Sequence, residues 1–232
     1  SSKTLNDELI WQQTKTSWQA IQTPPDCPDQ PMMTPPADLS KATSILYPGQ
    51  TRGGNYKPHG GFRFDESANA DISVVAPLDG FIVRGARYLA EGEVQYTFDI
   101  MHNCGVMVRV GHLRELPANL QIIADTWPAP QEGDSRTERV NPPVFVETGD
   151  TLATSVGIIG DANTFFDWGV YDYRENNEAS ESTDFQTVHA DDQELSWHAV
   201  CWFDWLPKDD QATVESLPAG DPTSGKSSDY CT

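Results

Sequence analysis

Three short stretches hold side chains whose types and spacing can do chemistry. "KPHGGFRFD" sets His59 beside two glycines, with Arg63 and Asp65 further along the same run. Imidazole nitrogen and carboxylate oxygen both bind divalent cations, and glycine-flanked backbone lets a ligand approach closely. The same letters also suit an ordinary turn. "IMHNCGVMVRVGHL" alternates from Val106 to Val110, which predicts a strand with His102 before its turn and His112 at its far end. A strand-end histidine facing a cleft carries protons near neutral pH; a hydrogen-bonded structural histidine is the plainer alternative. In "FDWGVYDYR", alternation puts Asp167, Gly169 and Tyr171 on one face.

The elements that must position these groups are mostly strands. From Asp71 onward, runs such as "ISVVAPLDGFIVRGARYL" and "PVFVETGDTLATSVGII" are short, apolar or alternating, and broken by Gly, Pro and Asp. This texture predicts an all-β sandwich or barrel, with Gly80 and Gly149 at turns. The stretch from Asp125 to Pro143, "DTWPAPQEGDSRTERVNPP", is polar and proline-rich, so an exposed loop at the rim of a groove is expected. Upstream, Leu5, Leu9 or Ile10, Trp11, Trp18 and Ile21 fall at roughly helical spacing behind a cap at Thr4 or Asn6, which predicts an N-terminal helix. A proline-rich extended arm follows. The division expected is an arm over 1–46, a β domain over 47–175 and an acidic extension over 176–232. In that extension Trp197, Val200, Cys201, Phe203 and Trp205 need cover against the sheet.

The charge balance narrows the partners. With 15 Lys and Arg against 35 Asp and Glu, the net charge of −20 repels phosphate backbones and anionic lipid surfaces, which argues against nucleic acid and membrane binding. No apolar run approaches the roughly 20 residues that span a bilayer, and "SSKTLNDELIWQQ" lacks the basic and apolar regions of a signal peptide, so a mature soluble form is expected. Four cysteines without tight spacing read as disulfides of a secreted or periplasmic protein, or else as four free thiols. Of the three pairings, Cys27 with Cys104 and Cys201 with Cys231 is preferred, tying down the arm and closing the tail. Trp127, Trp168, Trp197 and Tyr171 suit stacking in a glycan or peptide groove, against the plainer role of filling a core.

Taken in order, "YPGQTRGG", "KPHGGFRFD", "VVAPLDGFIV", "FDIMHNCGVMVRVGHL" and "VETGDTLATSVGIIGDANTFFDWGVYD" resemble the lysostaphin-type zinc metallopeptidase domain over roughly Tyr47 to Arg174. The resemblance implies a duplicated hybrid β-sandwich or open barrel, secreted or periplasmic. Such a domain cleaves peptidoglycan peptides or persists as a degenerate regulator or binder. It makes His59 the first zinc ligand, Asp65 the second and His112 the catalytic histidine, with His102 a turn histidine. The family spacing of the second ligand lands on Arg63, and its His-x-His pair falls on Asp167 and Gly169. Gly169 offers no ligand atom. A set of His59, Asp65 and Asp167 would suit manganese or calcium better than zinc.

Three readings stay open on the sequence. One is a metallohydrolase of peptidoglycan peptides, holding zinc or another divalent metal on His59 and Asp65 with help from Asp167, and using His112 as acid or base. Another is a monomeric cell-wall or polysaccharide binder that kept the groove and lost the metal. The last is a metal-independent polysaccharide-degrading enzyme working with His59, His112, Asp167 and Tyr171, in which Arg63 grips a substrate carboxylate and Trp168 stacks on substrate.

Overall fold

A computed structural model of the chain describes residues 8–29 and 31–231. Its strands are β1 (Trp11–Gln13), β2 (Trp18–Ala20), β3 (Ser44–Leu46), β4 (Gln50–Arg52), β5 (Asn55–Lys57), β6 (Gly60–Arg63), β7 (Val74–Val75), β8 (Gly80–Ala90), β9 (Glu93–Met101), β10 (Val106–Leu113), β11 (Glu138–Val146), β12 (Thr151–Ala153) and β13 (Phe165–Asp172). Seven of them form one antiparallel sheet in the order β11-β8-β9-β10-β13-β6-β3, and β1-β2, β4-β5 and β7-β12 make small two-stranded sheets. The protein is therefore mainly β, as its alternating runs require. β11 and β3 end the large sheet without pairing with each other, and the outer edge of β3 is met by residues 218–220, so no barrel closes among the described residues.

Alternation gives the sheet two different faces. Phe166, Trp168 and Val170 of β13 join Val106, Val108 and Val110 of β10 and Phe98 and Ile100 of β9 in the main core, each at most 1% exposed. The C-terminal extension covers this face, with Trp202 packed on Phe62 at 5.0 Å between ring centroids. Asp167, Gly169, Tyr171 and Tyr173 point the other way, beside Arg109 and Gly111 of β10 and Asp99 of β9. One end of that second face carries a smaller apolar cluster built on Trp11, Trp18, Met101, Met107, Tyr171 and Tyr173. The other end is polar and open.

Two local expectations change. Where a helix was expected over 4–22, β1 and β2 form a hairpin with Trp11 opposite Ala20 and Gln13 opposite Trp18. The seven-residue spacing of the tryptophans fits a helix, but it also puts both indoles on one face of a hairpin with a four-residue turn. Thr14 stabilises that turn through its hydroxyl, bonded to the backbone of Ser17, and the competition goes to the turn. The cap at Thr4 or Asn6 and Leu5 lie outside the described residues. The second change is in the stretch 125–143: Trp127 is buried, and strand β11 begins at Glu138 and runs through Asn141, Pro142 and Pro143. Prolines are tolerated because β11 is an edge strand and its register against β8 shifts between Arg139 and Val144.

Both disulfides form with the preferred pairing, Cys27–Cys104 and Cys201–Cys231. The extension packs on the sheet, as its tryptophans demanded, and residues 198–200 continue the sheet where β6 stops. β6 pairs with β13 only as far as Trp168; beyond it Val200 N–H donates to the Val170 carbonyl at 3.0 Å and Asp172 N–H to His198 at 2.8 Å. No described helix is long and apolar enough to cross a membrane.

Candidate functional site

At the open end of the second face, three of the residues singled out in the sequence meet. His59 Nε2 lies 3.2 Å and His112 Nε2 3.4 Å from Asp167 Oδ2. The sheet makes the meeting possible. In register, Asp167 stands between Gly61 of β6 and Gly111 of β10, so no neighbouring side chain crowds its carboxylate. A Cβ at Gly111 would come within 3.1 Å of Thr97 Oγ1 and 3.4 Å of Asp167 Cβ. His59 arrives at the start of β6, where Arg52 holds its carbonyl at 2.9 Å.

His112 sits at an irregularity of β10, where the register against β9 shifts between Val110 and Leu113. Its φ is +58°, a conformation a side-chain-bearing residue adopts at a cost of about 1–3 kcal/mol unless its surroundings enforce it. They do. The His112 N–H donates to Tyr88 Oη, its carbonyl accepts from Gly157 N–H, and its ring packs 4.4 Å from that of Phe165. Nδ1 contacts Gln95 Oε1 while the Gln95 amide donates to the Gly157 carbonyl. Gln95 is therefore oriented as an acceptor toward the ring. His112 carries its proton on Nδ1, and in the neutral ring Nε2 presents a lone pair.

Burial lowers the His112 pKa below the ordinary histidine value, against the raising effect of Asp167. Burial works to raise that of Asp167, but His59 and then His112 outweigh it and hold the carboxyl well below the usual carboxylate range. Asp167 is an anion at any working pH. The trio lies on the floor of a cleft of about 380 Å³ whose walls include Lys57, Tyr88, Arg109 and Ile158. The side chains of His59, His112 and Asp167 are 16%, 20% and 24% exposed, so a substrate can touch them.

The other candidates sit elsewhere. Asp65 follows β6 and is bound by Arg63 at 2.8 Å and Thr43 at 3.0 Å, outside the cleft walls. That same ion pair occupies Arg63. Trp168 is fully buried in the main core and has no face for a substrate. Tyr171 is also buried, and its hydroxyl bends back over Gly169. His102 accepts from Cys104 N–H in the β9–β10 turn, a structural role.

The zinc set implied by the resemblance does not fit these residues. A Cβ at position 169 would lie 2.6 Å from the Tyr171 hydroxyl and 2.9 Å from His59 Cβ, so a phenol fills the space a second histidine ligand would need. Asp65 is turned away toward Arg63 and Thr43. The same holds for a manganese or calcium site built on His59, Asp65 and Asp167.

Sequence reading missed Tyr88, Gln95 and Arg109. Each lies within an alternating strand and reads as a strand residue; only the pairing of β8, β9 and β10 brings them to the histidine. Comparison with protein families, with curated proteins and with solved structures finds no match.

Proposed function

We propose that the chain is a lysostaphin-type, peptidase-like hydrolase of an extracytoplasmic compartment that cleaves cell-wall peptides through a metal-independent acid–base centre. The observation that carries this reading is the convergence of His59 and His112 on Asp167 in an open cleft, with His112 held at φ +58°. Support for the family reading is the order of the sequence motifs together with positions 59, 112, 167 and 169 meeting side by side. Two disulfides support an oxidising compartment.

The chemistry follows from proton inventory. His59 donates from Nε2 to Asp167, while Asp167 Oδ2 and the His112 Nε2 lone pair are two acceptors facing each other at 3.4 Å. A water entering from the cleft donates to both. His112 takes its proton as the oxygen attacks the peptide carbonyl, and Asp167 stabilises the resulting imidazolium. The imidazolium then gives that proton to the leaving nitrogen as the C–N bond breaks. Burial, then the charge of Asp167, raises the Tyr88 pKa, so this phenol in the cleft wall keeps its proton and donates to the developing oxyanion.

The test is release of new amino groups from purified peptidoglycan or its stem peptides, with and without a chelator. Hydrolysis should be indifferent to the chelator and fall by ~10²–10⁴-fold in His112→Ala, the usual worth of a general base. Loss of activity on chelation, or full activity in His112→Ala, would overturn the reading.

A further inference from the structure

We propose that the C-terminal tail, residues 221–231, is a working part of the acid–base centre: through Gln50 it sets Arg52, and Arg52 positions His59 against Asp167. This deepens the hydrolase reading above and rests on the same site. His59 needs such help because the sheet does not supply it. In register β6 begins at Gly60, opposite Trp168, so His59 stands one residue outside the ladder and follows Pro58, which has no N–H to give. The His59 carbonyl is held instead by Arg52 Nη2 at 2.9 Å, while Nη1 of the same guanidinium donates to the Tyr47 carbonyl at 2.6 Å. One planar fork thus fastens both ends of the excursion 47–59, and with it the backbone from which the His59 ring departs.

Arg52 in turn has no large sheet behind it. Its strand β4 pairs only with β5, so this hairpin is not carried by the seven strands that present Asp167 and His112. The C-terminal extension carries it. Gln50, 4% exposed, spends its amide on the Gly225 and Ser227 carbonyls at 2.9 and 2.6 Å, and its Oε1 accepts from Arg52 Nη1 at 3.2 Å. Beside it, Ser228 Oγ donates to the Pro48 carbonyl at 2.6 Å, Asp229 N–H to the Gly49 carbonyl at 3.1 Å and Tyr56 Oη to the Asp229 carboxylate at 2.9 Å. The approach is close: a Cβ at Gly49 would lie 2.9 Å from Asp229 N and from the Tyr230 ring. Phe185 and His189 add ring contacts to Tyr56. The tail is itself anchored, by Tyr230 Oη on the Ser196 carbonyl at 3.0 Å and by Cys231 on Cys201. Tail, Gln50, Arg52 and His59 form one line of contacts from that disulfide to the site.

Charge follows the same line. Burial works against the Arg52 cation, and the carboxylates that act to offset it are Asp167 in the site and Asp221 in the tail. Arg52 in return is among the groups that keep Asp167 ionised, after His59 and His112. It therefore meets the site twice, by a hydrogen bond at His59 and by charge at Asp167. Arg52 is a positioning residue, and Gln50 is its link to the tail.

The first readout needs no substrate: the exchange rate of the His59 Nε2–H proton with water, measured by NMR, which the bond to Asp167 slows. Arg52→Lys keeps the charge beside Asp167 but cannot hold two carbonyls in the geometry of the fork, and the rate should rise about tenfold, the worth of one hydrogen bond. Gln50→Ala, which cuts the link to the tail, should raise it in the same direction. On peptidoglycan peptides, Arg52→Lys should lower kcat about tenfold with KM unchanged, and should cost nothing further in the His59→Gln protein, because Arg52 acts through His59. A merely structural role would cost the same in both backgrounds. An unchanged exchange rate in either variant, or equal losses from Arg52→Lys with and without His59, would overturn the inference and leave the hydrolase standing. Faster exchange in both variants of a protein that cleaves no such peptide would overturn the hydrolase and support the positioning. A wild-type rate equal to that of free imidazole would mean that His59 does not hold Asp167, and would overturn both.

Discussion

Two carboxylates on one sheet face are each flanked by two basic groups, yet they differ in kind. Asp99 is fully buried between Arg84 and Arg109; it accepts from Arg109 Nε at 2.6 Å and Nη2 at 2.8 Å and from Arg84 Nε at 2.9 Å. Asp167 lies between two imidazoles at 3.2 and 3.4 Å and reaches the cleft. Guanidinium has no lone pair and does not titrate in the working range, so the Asp99 cluster cannot pass a proton on. Imidazole titrates near neutrality and keeps a lone pair on Nε2 once Nδ1 is committed to Gln95. The same arrangement of charges gives a strut in one case and a proton-transfer centre in the other. What distinguishes them is a lone pair able to take a proton.

Paired substitutions break this comparison most sharply. Asp167→Asn removes the group that stabilises the His112 imidazolium, and turnover should fall by ~10²-fold or more while the protein stays folded. Asp99→Asn leaves the buried Arg109 without its anion and Arg84 with Glu194 alone, and unfolding free energy should drop by about 3–5 kcal/mol, the usual cost of breaking a buried ion pair. Denaturant titration and kcat measured on both proteins decide it. If Asp99→Asn lost activity at full stability, or Asp167→Asn unfolded, the roles assigned to the two clusters would be reversed.

Titration of His112 sharpens the contrast without needing a substrate. Its folded pKa lies below the ordinary value of about 6.5 because burial outweighs Asp167, and His59 adds to the lowering. Removing the Asp167 anion in Asp167→Asn should move the His112 resonance midpoint lower still, and His59→Gln should move it up, both read by NMR. Below about pH 6.5 the unfolded chain binds more protons at this position than the folded one, so acidification costs stability there. Asp167, depressed in the fold, contributes stability that is present above about pH 4 and lost on further acidification. Shifts in the opposite directions would mean that Asp167 and His59 do not act on His112 as the geometry requires.

Much of this site was legible in the sequence. His59, His112 and Asp167 were each marked by type and by position in an alternating run, and alternation placed Asp167, Gly169 and Tyr171 on one face. The disulfide pairing was a preference among three, chosen because one bridge ties an arm and the other a tail; spacing alone does not fix it, and the fold does. Asp65 and Trp168 were not readable in the same way. The carboxylate of Asp65 had a nearer cation in Arg63, and the face taken by Trp168 depended on which side of the sheet the extension covered. The hairpin at Trp11 and Trp18 was hidden because its seven-residue spacing serves two periods at once. Tyr88 and Gln95 face each other across β8 and β9, and only that register brings them to a histidine on β10.

Tyr88 sets the smallest and most informative effect. Its hydroxyl accepts from His112 N–H at 3.3 Å, a distance too long to hold the strained residue alone, while Gly157 and Gln95 carry most of that task. Tyr88→Phe should therefore leave His112 in place and the protein folded. What it removes is a proton donor whose pKa is raised by burial, and so a hydrogen bond made only to the oxyanion. The expected loss is about tenfold in kcat with KM unchanged, since the donor acts on developing charge and not on the bound ground state. A rise in KM at constant kcat would instead make Tyr88 part of the substrate cradle, and would leave the oxyanion to some other donor in the cleft, with Lys57 the next cation in its wall.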